Sequence, residues 1–269
     1  MFDFEFMRTA FLAGGIVAVA AGAVGFFLVL RNLAFAGHAL SHVGFAGATG
    51  SILIGLGAFW GLLAFSVAAA VAMGLLGDRL RHRDVAVGIV LALGFGVLFL
   101  SLYTASATEA TAILFGNLLA IGSDTFWGLL AMTVATLLAL AVLSRPLLFA
   151  TLEPELAEAK GVSLRLVSVL FLTIVAIAVA EAAQVVGVLL VFALMVGPAA
   201  AAQRLVSRLG VGVAVAVLLA VLETWGGLAL AYVTDWPTTF WIVLLSCLAY
   251  FLSLLRPVFA SGVAAPARA

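Results

Sequence analysis

Two histidines, His38 and His42, stand four residues apart in the stretch AFAGHALSHVGFAGATG, which is otherwise almost bare of polar groups. On an α-helix, residues at i and i+4 sit one turn apart on the same face, so both imidazoles can point at one ion. Metal ligation is the chemistry this spacing favours. Hydrogen-bonded packing inside a helical core is the plainer alternative. Haem on His38 or His42 is the third and least favoured reading, because two histidines of one turn cannot take opposite sides of a haem plane. Gly37, Ser41, Gly44, Gly47 and Gly50 recur on helical spacing around the pair and let a second helix come close.

Two ligands do not complete a site, since zinc takes four, or three plus a water. The third histidine, His82, falls in DRLRHRD among arginines and reads as a solvated loop residue. Two sources remain for further ligands. A two-fold homodimer apposing this helix with its copy would gather four imidazoles around one axis. Alternatively, Glu181 and Glu223 lie within apolar segments, where a carboxylate is by default a candidate for an ion path or a polar interhelix contact. The single cysteine, Cys247, sits in an apolar run and reads as packing.

The elements that must hold these groups follow from composition. Of 269 residues, 66% are hydrophobic and 9% charged, with a mean hydropathy of +1.35. A soluble domain of this size needs more charge to cover its surface. Apolar runs long enough to cross a hydrocarbon core of ~30 Å recur along the chain without strand-like alternation. The fold class is therefore all-α, a polytopic transmembrane helical bundle of about eight or nine spanning segments with a short cytoplasmic helix. Nine segments are expected, over residues 11–30, 38–56, 58–76, 85–102, 126–143, 166–182, 185–201, 211–233 and 239–255. The second and third nearly touch, as do the sixth and seventh. Asp3 and Glu5 ahead of the first run argue against a cleaved secretory signal, so that helix is expected to be retained.

Nine crossings put eleven of the twelve basic residues on one side, with only Arg8 on the other. The excess of basic residues marks the cytoplasmic face, which places the N-terminus outside and the C-terminus inside. Residues 257–269 then form a disordered cytoplasmic tail. On the outer side, residues 103–125 contain AILFGNLLAI, too short to span and expected to be re-entrant or interfacial. On the inner side, TLEPELAEAKGVSLR is the most polar segment of the chain. Pro154 suits a helix start, Glu155 and Glu158 its first turn and Gly161 its end, so a short charged helix with no catalytic set is expected there, either a docking surface or a solvated connector. Pro198, near the inner end of the seventh segment, serves either as a hinge or as the place where the chain turns into the loop at Arg204. No phosphate-binding loop, zinc-protease motif or nucleophile elbow is present, so the chain reads as no enzyme and holds no ATP by itself.

Together these segments resemble the membrane (permease) subunits of ATP-binding-cassette importers for zinc, manganese and iron, over about Arg31 to Arg256. RNLAFAGHALSHVGFAGATG is similar to the family segment that supplies ion ligands, ILFGNLLAI to its outer-loop signature, and EPELAEAKGVSLRLV to its coupling segment. QVVGVLLVFALMVGPAAAAQRL and YVTDWPTTFWIVLL are similar to its late-helix patterns. The resemblance implies one permease domain over residues 1–269 in a bacterial cytoplasmic membrane, paired with a second copy. The implied partners are a pair of cytoplasmic ATPase subunits and an extracytoplasmic metal-binding protein, with no nucleic acid. His38 and His42 become the metal ligands, Glu223 and Glu181 possible members of the ion path, and Glu155, Leu156, Glu158 and Gly161 the ATPase-docking residues. No permanently bound cofactor is implied; the divalent metal is cargo.

Two departures bear on the metal. The family commonly has aspartate where this chain has His38, and again where it has Asn117. Imidazole nitrogen in place of a hard anionic oxygen shifts the expectation from manganese towards zinc. An ion-coupled secondary transporter needing no ATPase is the rival reading; it predicts inverted repeats and more intramembrane acids.

Overall fold

The computed structural model of the chain describes residues 4–76, 89, 94, 107–116 and 121–261. The expected segment at 85–102, apart from positions 89 and 94, lies outside the described residues, as do His82, Asn117 and residues 262–269. Ten helices are described: α1 (Glu5–Leu30), α2 (Ala34–Leu53), α3 (Ala58–Leu76), α4 (Ala107–Phe115), α5 (Ser123–Leu152), α6 (Pro154–Ala159), α7 (Leu164–Val186), α8 (Val188–Leu205), α9 (Leu209–Thr234) and α10 (Thr238–Ser261). Among the described residues there is no strand. The end of α10 takes in residues 257–261, so the first part of the expected disordered tail is helical.

Seven of these helices (α1, α3, α5, α7, α8, α9 and α10) are long and apolar enough to cross a membrane. α2 has the length, at 20 residues, but its histidines, serines and glycines bring its hydropathy below that of the seven. The two near-touching pairs of segments are separate helices. α2 and α3 part at residues 54–57, with Gly55 at φ 74°, and α7 and α8 part at the single residue Gly187, at φ 85°. Both are left-handed conformations that a Cβ disfavours, so glycine marks each break.

α1 and α7 form the centre: 78% and 72% of their membrane windows are buried, against 17% for α10 at the periphery. α1 packs on α5, α7, α8 and α9. Its alanines and glycines make this possible, because helices in a lipid-like phase associate through close backbone approach rather than through hydrophobic transfer. A Cβ at Gly22 would lie 2.8 Å from the Val217 Cα of α9. Polar ties to backbone carbonyls pin the same core: Gln203 Nε2 donates to Phe26 O at 2.8 Å and Trp225 Nε1 to Phe11 O at 2.9 Å. Pro198 sits inside α8, which continues to Leu205, so the turn into the loop falls beyond the proline.

α2 is held by α3 through a reciprocal glycine crossing. The space for a side chain at Gly47 is filled by the Gly61 carbonyl and Phe65, and that at Gly61 by the Gly47 carbonyl and Ser51. Two turns earlier in α2, Ser66 Oγ donates to Leu40 O at 3.2 Å. Gly50, on the same helix, has nothing within 4 Å of its would-be Cβ. Gly47→Leu is therefore expected to force α2 from α3 and destabilise the purified protein by about 1–3 kcal/mol. Gly50→Ala should be neutral or gain up to ~1 kcal/mol. Thermal unfolding in detergent, comparing the two variants with the parent, measures the difference.

Candidate metal centre

α2 begins just after a tight turn. Arg31 caps α1, Asn32 takes a positive φ of 57°, and Leu33 N bonds back to Leu28 O at 2.9 Å. The Arg31 guanidinium anchors this turn to α7, donating to Ser168 Oγ at 3.2 Å and lying 5.5 Å from the Phe171 ring centroid. One helical turn later His38 projects from α2, and a further turn on, His42.

The two rings do share one face. Their centroids are 4.5 Å apart with planes at 83°. His38 is also edge-on to Phe192 of α8 at 5.3 Å and lies 6.2 Å from Phe35. Both histidines are half-buried, while Phe35 and Phe192 beside them are exposed at 48% and 38%. The pair is thus neither sealed in the core nor fully open. Among the described residues, the buried Nδ1 of His38 meets no hydrogen-bond partner. Ser41, between the histidines, donates to the His38 carbonyl at 2.8 Å.

The acids lie elsewhere. Glu181 is fully buried on α7, where Thr133 Oγ1 of α5 donates to its Oε1 at 3.0 Å; its Oε2 has no partner among the described residues. Glu223, on α9, is buried, and among the described residues neither carboxyl oxygen is hydrogen-bonded, although Ser246 of α10 is beside it. The Ser246 hydroxyl hydrogen goes to the Ala193 carbonyl at 3.0 Å, leaving none for Glu223. Among the described residues, no group of three His, Cys, Asp or Glu side chains converges on one point. Among the described residues the two imidazoles thus stand as a pair, with neither Glu181 nor Glu223 beside them. Ala193 does follow Phe192 in α8, so one helix touches both the histidine pair and the surroundings of Glu223.

The polar segment TLEPELAEAKGVSLR forms the six-residue α6, with Pro154 at its first position. Its C-terminus is closed by Gly161 at φ 83°, with Gly161 N to Glu158 O and Val162 N to Ala157 O, both 2.9 Å. This paired closure satisfies the last carbonyls of a helix too short to be stable alone. Ala157 faces inward, while Glu155, Leu156, Glu158 and Gly161 are exposed. Sequence reasoning did not single out Phe192 or Thr133, which no local pattern marks. Both are brought to their sites by packing between distant segments.

The Glu181–Thr133 contact is open to direct measurement. Thr133→Val should leave a buried carboxyl oxygen without its donor and destabilise the protein by about 1–3 kcal/mol. Thr133→Ser should retain most of that stability. Denaturation of the two variants side by side reads the difference, and equal loss in both would assign the effect to packing.

The chain matches the family model described as "ABC 3 transport family" over residues 3–257. It is 28% identical over 258 residues to the manganese transport system membrane protein MntC of Listeria innocua, covering 95% of this chain and 92% of that protein. It is 32% identical over 201 residues to the manganese import system permease protein ScaB of Streptococcus pneumoniae, covering 74% and 72%. Its fold superposes on a chain of PsaBC from Streptococcus pneumoniae, solved in complex with Fab, with a TM-score of 0.83 at 26% identity, over 93% of this chain and 91% of that one. A match over nearly the full length, by family model and by fold, identifies a permease subunit, whose ATPase is a separate chain: the protein belongs to the ABC 3 transport family.

Proposed function

We propose that this permease carries a divalent transition metal inward across the cytoplasmic membrane, using the His38–His42 pair as transient ligands. The observation that carries this reading is the pair itself, two imidazoles 4.5 Å apart on a partly open face of α2 in a chain of this family. Such a site must bind well enough to strip water from the ion and weakly enough to release it. In this reading two copies meet at a two-fold axis, and an extracytoplasmic protein delivers the metal to the outer loop. An ATPase pair grips residues 153–165 through α6, and the coupling role of Glu155, Leu156, Glu158 and Gly161 rests on their exposure beside a rigid, capped turn. Nine crossings with the C-terminus inside put that segment on the ATPase's side of the membrane. Glu181 and Glu223 stand apart from the pair; a role in the path would be as later stations.

Manganese is the first reading for the cargo, because the relatives MntC and ScaB are named for it. Their names lend zinc no support. Zinc stays as the second reading on one observation: His38 and His42 both offer nitrogen, and nitrogen-rich sites suit zinc better than manganese. The ion-coupled transporter gains nothing from the family match.

Three outcomes check this. In proteoliposomes containing the permease with its ATPase, His42→Ala should reduce metal uptake to background while assembly with the ATPase persists; lost assembly would favour a packing role. His38→Asp should fold and shift the ratio of manganese to zinc uptake towards manganese. An unchanged ratio removes His38 from selectivity. Uptake driven by an imposed proton gradient without ATPase would overturn the importer reading.

A further inference from the structure

Glu223 lies near the middle of α9 and is 4% exposed. One turn on, the would-be Cβ of Gly227 stands 2.5 Å from Ile242 Cγ1 and 3.1 Å from Ile242 N of α10. Ser246 is one turn beyond Ile242, so Glu223 and Ser246 belong to the same α9–α10 contact. Among the described residues neither carboxyl oxygen receives a hydrogen bond, and no ion pair neutralises the group. The ionisable residues on the helices packed against α9 are Glu5 and Arg8 of α1, Arg204 of α8, and Cys247, Tyr250 and Arg256 of α10. The polar side chain beside Glu223 is Ser246.

The placement of hydrogens decides which form of the carboxyl suits this contact. A hydroxyl has one hydrogen to give and lone pairs with which to receive. Ser246 gives its hydrogen to the Ala193 carbonyl of α8 at 3.0 Å. Thr224, next to Glu223 in the chain, gives its own to Ala220 O at 2.8 Å. What Ser246 still offers Glu223 is an acceptor. A carboxylate needs donors, whereas a carboxylic acid brings a donor of its own and needs an acceptor. The neutral acid also avoids the cost of an unpaired charge inside a membrane bundle.

The acceptor leads on to a weak point in α8. Ser246 Oγ occupies the space that a Cβ on Gly197 would fill, so the serine is lodged in α8 one residue before Pro198. Pro198 has no N–H and leaves Leu194 O without its helical partner. From α1, Gly25 rests against the Met195 carbonyl. The broken turn is thus gripped by the backbone of α1 and by one hydroxyl of α10. Phe192, edge-on to His38, immediately precedes Ala193.

We infer that Glu223 is a proton site: its protonated carboxyl donates to Ser246 Oγ, which donates in turn to Ala193 O, so that one bound proton ties α9 and α10 to the proline-broken turn of α8. The ligand is a proton, distinct in chemistry and in place from a metal at the histidines. Losing it removes the first link and leaves the turn held from α10 by Ser246 alone. The inference stands on the contacts among α8, α9 and α10 and is independent of the histidine reading.

Infrared difference spectra between the parent and Glu223→Gln test it, on the permease with its ATPase in lipid vesicles at neutral pH. The parent should show the carbonyl band of a neutral, hydrogen-bonded carboxylic acid that the variant lacks. Ser246→Ala should move that band towards the position of an unbonded acid. A carboxylate signal from Glu223 instead, or an acid band that Ser246→Ala leaves in place, overturns the inference. Loading with zinc or manganese should leave the band intact; its conversion to carboxylate would make Glu223 a metal ligand and overturn the proton site. Amide exchange of the α8 peptide around Pro198 gives a second readout. Glu223→Gln, whose amide also donates, should exchange like the parent, while Glu223→Leu should exchange about tenfold faster. Glu223→Gln exchanging as fast as Glu223→Leu, or Glu223→Leu as slowly as the parent, contradicts the tie. Metal uptake by His42→Ala, scored separately, reports on the transport reading whichever way these results fall.

Discussion

A polar ring half exposed on a membrane helix has no stable place against hydrocarbon. His38 and His42 are in that position, and much of the architecture around them answers to it. Two imidazoles at van der Waals distance on one turn must be approached by protein, water or an ion, and the helix that bears them cannot be a peripheral one. α2 accordingly sits between α3, α7 and α8 with its remaining residues almost entirely buried, and opens only along the edge where the rings emerge.

Small residues make that placement possible. The Gly47–Gly61 crossing brings α2 and α3 to backbone contact, and the alanines of α1 let four other helices surround it. Glycine then acts a second way, as punctuation. Gly187 breaks one long apolar run into α7 and α8, and the same residue receives the backbone of Gly116 at the end of α4. The short segment that forms α4 is thereby braced on the very joint from which α8 departs towards Phe192 and His38. α8 links the end of α4, the histidine face and the surroundings of Glu223 in a single helix.

Much of this was legible in the sequence because membrane helices advertise themselves. A run of apolar residues of spanning length has few alternatives, and Gly55 and Gly187 stand where the segments had to part. The i, i+4 spacing fixed the shared face of the histidines before any coordinates, and Pro154 with Gly161 bracketed α6 because proline and glycine occupy opposite helix ends for steric reasons. Ligand sets were less legible. Glu181 and Glu223 read alike, as acids in apolar runs, yet among the described residues one accepts from Thr133 while the other lies beside a Ser246 whose hydrogen goes to a carbonyl, and neither clusters with the histidines. Such distinctions depend on which helices pack together, and no periodicity within one segment carries that information. The choice of metal is harder again: the His38 substitution argues from ligand chemistry for zinc, while the relatives' names argue for manganese.

The central claim is that the paired imidazoles of α2 contact the transported ion. X-ray absorption at the metal edge, on the assembled transporter loaded with zinc or manganese and compared with His42→Ala, tests it most directly. The account predicts nitrogen neighbours at about 2.0–2.1 Å for zinc, with imidazole outer-shell scattering that falls in the variant. A shell of oxygen alone, identical in parent and variant, would contradict it.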